Sequence, residues 1–228
     1  MKKIAAPKQD FDIYIARPDT EFVERTAEPL QQLYSFGYLP YSGAKNVCNV
    51  FYSARSARVV LKDFALTSEN RRIAKKFDGL FTKERVANLL TDKKFYDFCL
   101  SYFAQTHGVL AMPRERLETI INSGLITSTT IYRSSSSPVA YVLEVADGSM
   151  GHYWFSFYDT AYARQSLGLW LMLDALRDAK ARGLEHYYLG TVYGDKALYK
   201  TNFEPLEWLS GSAWSKDITL LKELSRKD

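Results

Sequence analysis

Ser156-Phe157-Tyr158-Asp159, Arg164-Gln165-Ser166-Leu167-Gly168, His186-Tyr187-Tyr188-Leu189-Gly190 and Lys196-Ala197-Leu198-Tyr199-Lys200 follow one another within residues 156–214. They read as strand, polar turn, apolar helix, strand and polar loop. In that order a helix N-terminus and a strand end meet at one cleft, where an α/β protein places its chemistry. The helix is expected over 166–182, closed by Gly183, and the next strand over 187–189.

Immediately upstream, alternating segments at 125–132, 139–145 and 152–157 are separated by Arg133-Ser134-Ser135-Ser136-Ser137-Pro138 and Asp147-Gly148-Ser149. Polar breaks of this kind predict an antiparallel meander, with the serine run as a hairpin tip. Before the meander the pattern is helical. Thr67 or Ser68 caps a helix through Phe77, and 82–90 and 94–105 continue as helices. Phe95, Phe98, Cys99, Tyr102 and Phe103 lie on or near one face, which makes Cys99 a core thiol. Pro113 begins a further helix through Ile121, ended by Gly124.

Nearer the amino terminus, Phe11-Asp12-Ile13-Tyr14-Ile15 alternates as a short strand. Residues 21–34 are loosely helical, with Pro29 opposing one unbroken helix, and 36–43 read as turn and loop. Strands at 46–52 and 58–64 are expected to pair as a hairpin around Ser53-Ala54-Arg55-Ser56. At the other end, 203–209 predicts a strand and 215–224 a closing helix. No internal repeat is found by inspection.

The chain has 228 residues, 46% of them hydrophobic, enough for a proper core. Asp10, Asp12 and Arg17 interrupt any secretory apolar region, and no run approaches the ~20 apolar residues of a membrane span. Cys48 and Cys99 lack metal-ligand or C-x-x-C spacing, so reduced thiols in a cytoplasmic protein are expected. Net charge is only +4. Arg55, Arg58, Lys62, Arg71, Arg72, Lys75 and Lys76 are nevertheless clustered, either as a solvated helix face or as a surface for phosphates.

A meander followed by Arg-Gln-x-x-Gly at a helix start resembles the GNAT acetyltransferase superfamily, in which backbone amides after the fourth strand hold the pyrophosphate of acetyl-CoA. That pattern requires a small residue where Trp170 stands, which opposes a conventional CoA site. More of the chain resembles a narrower family. Phe157-Tyr158-Asp159, Arg164-x-Ser166-Leu167-Gly168, Gly183-Leu184-x-x-Tyr187-Tyr188-Leu189-Gly190 and Lys196-x-x-Tyr199-Lys200-x-x-Phe203-x-Pro205-Leu206-Glu207 with Trp214 are similar to the carboxy-terminal domain of aminoacyl-tRNA–protein transferases. These are the arginyltransferases and bacterial leucyltransferases of the N-degron pathway. Asp63-Phe64 and Ser68-x-x-Arg71-Arg72 resemble the family's amino-terminal segment. The resemblance spans roughly 36–77 and 140–214.

The resemblance implies an α/β (α+β) fold, with a mixed, mostly antiparallel sheet flanked by helices, in two related GNAT-like halves, residues 1–110 and 111–228. The implied reaction transfers Arg or Leu from charged tRNA to the α-amine of a protein beginning with Asp or Glu. Alternatives are an acyl-CoA-dependent N-acyltransferase, or a non-catalytic module that binds tRNA or a protein N-terminus. The co-substrate is aminoacyl-tRNA, the partner an acceptor N-terminus, and the state a monomer without a membrane partner. Aminolysis of an activated ester needs positioning and oxyanion stabilisation rather than a nucleophilic triad, and His107, His152 and His186 show no triad spacing.

Candidate roles follow from the matched positions. Asp159 holds the substrate ammonium, takes its proton, or only forms the turn; Tyr158 and Tyr199 join it as catalytic candidates. Arg164, Ser166 and Gly168 meet the CCA end, unless Ser166 is an N-cap. Lys196 and Lys200 bind the acidic side chain or 3′ phosphates, unless they are a solvated pair. Of Tyr187 and Tyr188 only one can face the cleft, with Tyr188 the binding candidate. Arg71 and Arg72 would take tRNA phosphates. Family members have clustered cysteines before the Asp-Phe segment, whereas Ser53-Ala54-Arg55-Ser56-Ala57-Arg58 has none. No metal, no iron–sulfur cluster and no CoA are therefore expected. The loop at 190–196 also replaces the family's Gly-Tyr-Trp and its longer cysteine-containing turn.

Overall fold

A computed structural model describes residues 1–11, 19–45, 49–89 and 91–228. Most of the strand expected at 11–15, together with Cys48 and Leu90, lies outside these residues. The meander forms as its alternation dictates: β7 (Ser128–Ser134), β8 (Ser137–Asp147) and β9 (Met150–Tyr158) pair antiparallel in chain order. Ser135 and Gly148 take left-handed backbone at the two tips, at φ 54° and 56°. Alternation along β8 sends Val142 into one core and Tyr141 and Leu143 into another.

A helix must cross over before the next strand can lie parallel. That helix is α5 (Leu167–Ala181), and β10 (His186–Thr191) returns parallel to β9. Leu171, Leu173, Leu176 and Ala179 of α5 are wholly buried on the sheet. Beside α5 lies α2 (Ser68–Phe77), and with α6 (Ile218–Arg226) it places Ile73, Phe77 and Leu221 in the same core. The α2 start carries the expected cap: Asn70 N donates to Thr67 Oγ1 at 3.1 Å and Thr67 N to Asn70 Oδ1 at 3.2 Å.

The opposite layer is α3 (Lys93–His107) and α4 (Arg114–Ile121), packed on Tyr141, Leu143 and Phe157. Cys99 is buried there, and desolvation pushes its thiol far up, so it is a core thiol as expected.

Strand order in the main sheet is β12 (Ala213–Ser215), β11 (Leu206–Ser210), β5 (Ser56–Val60), β10, β9, β8, β7 and β6 (Thr82–Val86). A mixed, mostly antiparallel sheet flanked by helices is thus what forms. Strands from both sides of the 110/111 division share it. A smaller antiparallel sheet runs β1 (Lys2–Ile4), β2 (Phe22–Glu24), β4 (Val50–Ser53), β3 (Tyr38–Pro40). α1 (Leu30–Ser35) starts directly after Pro29, which begins a helix instead of breaking one.

Several local expectations are corrected. Of residues 21–34, expected to be loosely helical, 22–24 form strand β2 and the helix is confined to Leu30–Ser35. β4 and β5 do not form a hairpin: β5 has both edges taken by β10 and β11, so Ala54-Arg55 carries the chain from one sheet to the other. Residues 82–86 form the edge strand β6, not a helix, because Lys83 and Arg85, two apart, both reach acids on the α5 side. Residues 38–40 form β3 within what reads as a loop.

Candidate active site

β9 and β10 pair only through Met150↔His186, Gly151↔Tyr187 and His152↔Tyr188. Beyond that point β9 stays with β8 as far as Tyr158, while β10 bulges between Tyr188 and Gly190 and follows β5. The strands splay, and side chains rather than a third strand fill the gap. A cleft of about 460 Å³ opens there, a size suited to a small ligand or chain terminus. Its walls are Tyr153, Trp154, Phe155 and Ser156 on β9 and Leu189, Gly190 and Thr191 on β10. Tyr102, Phe103 and His107 of α3, Met172 of α5, Tyr41 and Ser42 after β3, and Arg116 of α4 complete it.

Into the splay reach Tyr199 and Lys200, from the 3-10 segment Asp195–Asn202. Lys200 Nζ donates to the Thr191 carbonyl at 2.7 Å, and desolvation pulls its pKa down to about 8. Tyr199 is 41% exposed, and desolvation by its surroundings pushes its hydroxyl up to about 12. His152, 2% exposed, shares a 2.8 Å hydrogen bond between Nδ1 and the Tyr34 hydroxyl. Burial first, and the Lys200 charge second, bring its pKa down to about 3, so the imidazole is neutral. The Tyr153 hydroxyl is buried without a hydrogen bond of ordinary geometry, and Ser156 offers it only a weak one. Buried hydroxyls left this poorly bonded are rare.

The remaining sequence candidates fall around the cleft. Tyr158 lies against the start of α5: a Cβ at Gly168 would stand 3.0 Å from its hydroxyl and ring edge. Its ring is 4.7 Å from that of Tyr102, which lines the cleft. Asp159 is exposed, and its Oδ1 accepts from Ala161 N at 2.9 Å, capping a 3-10 turn that also exposes Arg164. Ser166 has φ 70° and its side chain makes no capping bond. Tyr188 is buried behind the cleft between Tyr34 and Trp214, with Arg58 Nη1 3.3 Å from its hydroxyl. Tyr187 points into the opposite core. Lys196 is exposed, close enough to His107 to assist burial in lowering that pKa.

Arg71 and Arg72 are exposed on α2, no residue of which lines the cleft; Arg71 donates to the Leu66 carbonyl and Arg72 to Glu69. The Trp170 ring is buried against Phe77, Phe81 and Tyr132, with Nε1 donating to Asp78 at 2.9 Å. Sequence reasoning did not reach Tyr41, Arg116, His152 or Tyr153. For His152 a signal existed, a lone imidazole inside an alternating strand. For the others, contacts across long loops leave no spacing to read.

A sequence profile described as acetyltransferase (GNAT) domain matches residues 104–201. The aspartate/glutamate leucyltransferase of Methylorubrum populi is 30% identical over 217 residues, covering 86% of each chain. That of Hyphomonas neptunium is 29% identical over 192 residues, covering 79% of this chain and 72% of its own. Among solved structures, L-PGS from Bacillus licheniformis superposes with a TM-score of 0.45 at 12% identity, over 75% of this chain and 55% of its own.

Proposed function

The chain belongs to the aspartate/glutamate leucyltransferase family, and from that premise we propose that it moves a leucyl group from leucyl-tRNA to the α-amine of proteins beginning with Asp or Glu. The observation that carries the choice of leucine is the cleft lining. Among the described residues that form it there is no Asp or Glu, while Lys200 and Arg116 are present. A guanidinium entering this cleft would lose water without gaining a counter-charge, which is costly. A leucyl side chain instead meets Phe103, Met172 and Leu189. An acidic acceptor side chain is drawn by Lys200, with the exposed Lys196 near His107 adding positive potential.

The chemistry asks little of acid–base groups. An N-terminal amine with pKa near 7.7–8.0 is partly free at neutral pH, and the ester is already activated. Holding the two reactants at attack distance supplies much of the acceleration. On the outer face, Arg71, Arg72, Lys75 and Lys76 of α2 are exposed together and offer tRNA a phosphate-binding stripe. The turn at Arg164 and Ser166 leads to the α5 N-terminus, where Tyr158 and Gly168 would meet the CCA end. The protein acts as a cytoplasmic monomer without CoA and without an iron–sulfur cluster. Tyr158, seated at Gly168, covers the backbone that a pyrophosphate would have to approach.

The test is transfer of labelled amino acid from Leu-tRNA and Arg-tRNA to peptides starting Asp, Glu or Ala. Leucine on the acidic peptides alone is expected; equal use of the Ala peptide would remove the role of the cations. The acyl-CoA reading draws on the acetyltransferase profile. Saturable acetyl-CoA binding by calorimetry would restore it, and stoichiometric iron or zinc would refute the absence of a cluster.

A further inference from the structure

The α-carbon of Gly190 marks a point where two nitrogens converge. A methyl placed there would stand 3.7 Å from His152 Nε2 and 3.7 Å from Lys200 Nζ, and apart from the flanking Leu189 and Thr191 no other described group is within 4 Å. Gly190 has φ 80°, so the bulged backbone itself favours glycine and keeps the point open. The space belongs to the cleft, which His152, Gly190 and Lys200 all line.

Which ring nitrogen of His152 carries the proton follows from Tyr34. That hydroxyl is buried at the base of α1, and its described hydrogen-bond partner is Nδ1 alone, at 2.8 Å. A buried phenol keeps its proton, the more so here because desolvation raises its pKa well above the ordinary value. The proton needs an acceptor, so Nδ1 accepts and Nε2 carries the hydrogen. Nε2–H is therefore a donor presented to the cleft beside Gly190. Lys200 spends one N–H on the Thr191 carbonyl and has others to offer.

We propose that His152 is a catalytic residue of the transfer, its neutral Nε2–H and the Lys200 ammonium together receiving the oxyanion of the tetrahedral intermediate. The assignment rests on the leucyl-transfer reading. In the step, the acceptor's neutral amine nitrogen bonds to the ester carbonyl carbon, and the C=O π pair moves onto oxygen beside Gly190. Collapse re-forms C=O and breaks the bond to the tRNA 3′-terminal ribose oxygen. That oxygen takes up the proton the attacking nitrogen gives up, leaving an amide and free tRNA. A neutral donor suits the position: it stabilises charge as it forms, without competing as an acid for the amine. Tyr34 is a positioning residue that acts through the tautomer.

The test has two arms. Long-range ¹H–¹⁵N spectra of the wild-type protein, needing no substrate, should show His152 with Nδ1 bare and Nε2 protonated, and Y34F should mix the tautomers. In steady-state transfer from leucyl-tRNA to an Asp peptide, H152F should lose about 10²–10³-fold in kcat. KM for both substrates should stay within about twofold, and H152Q, which keeps an N–H donor, should recover kcat to within about tenfold. Full kcat in H152F, or a proton on Nδ1, would overturn the assignment. A wild-type protein that transfers no leucine would overturn the functional reading instead, while the tautomer still reports on His152.

Discussion

Charge is buried on two faces of one sheet, and the two faces treat it oppositely. On the α5 side, Glu144 is shared by Arg85, by Arg182 at 2.7 Å and by the Tyr187 hydroxyl at 3.0 Å. Asp174 is shared there by Lys83 at 2.9 Å and Tyr132 at 2.8 Å. In the cleft, Lys200 rests on a carbonyl oxygen beside a neutral imidazole, within walls that hold no described acid. The first arrangement is complete and ties α5 and β6 to the sheet. The second leaves the Lys200 ammonium with a carbonyl and no described carboxylate. A paired buried cation is structure, and a desolvated cation facing neutral dipoles is a binding device whose cost the fold carries elsewhere.

The largest expected effect breaks the first arrangement. E144A leaves Arg85 and Arg182 with Asp178 alone and strands the buried Tyr187 hydroxyl, so stability should fall by about 2–3 kcal/mol in denaturant titration. Activity per folded molecule should be kept. A loss below about 1 kcal/mol, as for a surface pair, would mean that the network is not what holds this face.

K200M attacks the second arrangement and should show the opposite pairing of effects. Leucyl transfer should drop by about 10²–10³-fold, while the thermal midpoint rises, because a desolvated charge has been removed. A lower midpoint would erase the contrast between the faces.

The same comparison has a pH signature. Lys200 titrates near 8 when folded, against about 10.4 in the unfolded chain. Between those values the unfolded state binds more protons, so stability should rise with pH by at most ~1.4 kcal/mol per unit. The penalty is full below about pH 8 and is relieved towards 10.4. Subtracting the K200M stability curve from that of wild type isolates this slope, and a flat difference would contradict the desolvation. His152 gives a slope of the same sign at acid pH: folded near 3, unfolded near 6.5, it withdraws stability as pH falls through that window.

Smaller effects concern the surface. R71E with R72E should weaken tRNA binding about tenfold and flatten its salt dependence by about one unit for each phosphate that is no longer neutralised. D159A should cost only about 1 kcal/mol of stability, as removal of a cap does. A hundredfold drop in transfer would show that this exposed carboxylate meets the substrate.

The meander, α5 and the spacing from Tyr158 to Lys200 were legible because they depend on local periodicity and on a motif running in chain order. Tyr199 and Lys200 reach the cleft from such a motif, and Cys99 sits in the core from helical spacing alone. What escaped is non-local. Tyr34 and His152 are separated by 118 positions, and nothing at either end announces the other. Strand β5 sits between β10 and β11, a pairing no hairpin rule finds. Thr82-Lys83-Glu84-Arg85 has largely helix-forming composition yet becomes an edge strand, since charge on an edge is tolerated and Asp174 and Asp178, which pair with Lys83 and Arg85, lie on α5. The left-handed backbone at Ser166 is likewise set by the turn from Asp159 into α5, not by any preference of serine.

The central claim is that a cleft lined by Lys200 and by no described acid selects a leucyl donor for an acidic acceptor. It is tested most directly by competing equal amounts of Leu-tRNA and Arg-tRNA for one Asp-initiated peptide and weighing the products. Leucyl-peptide in large excess is the predicted result; arginyl-peptide as the main product would contradict it.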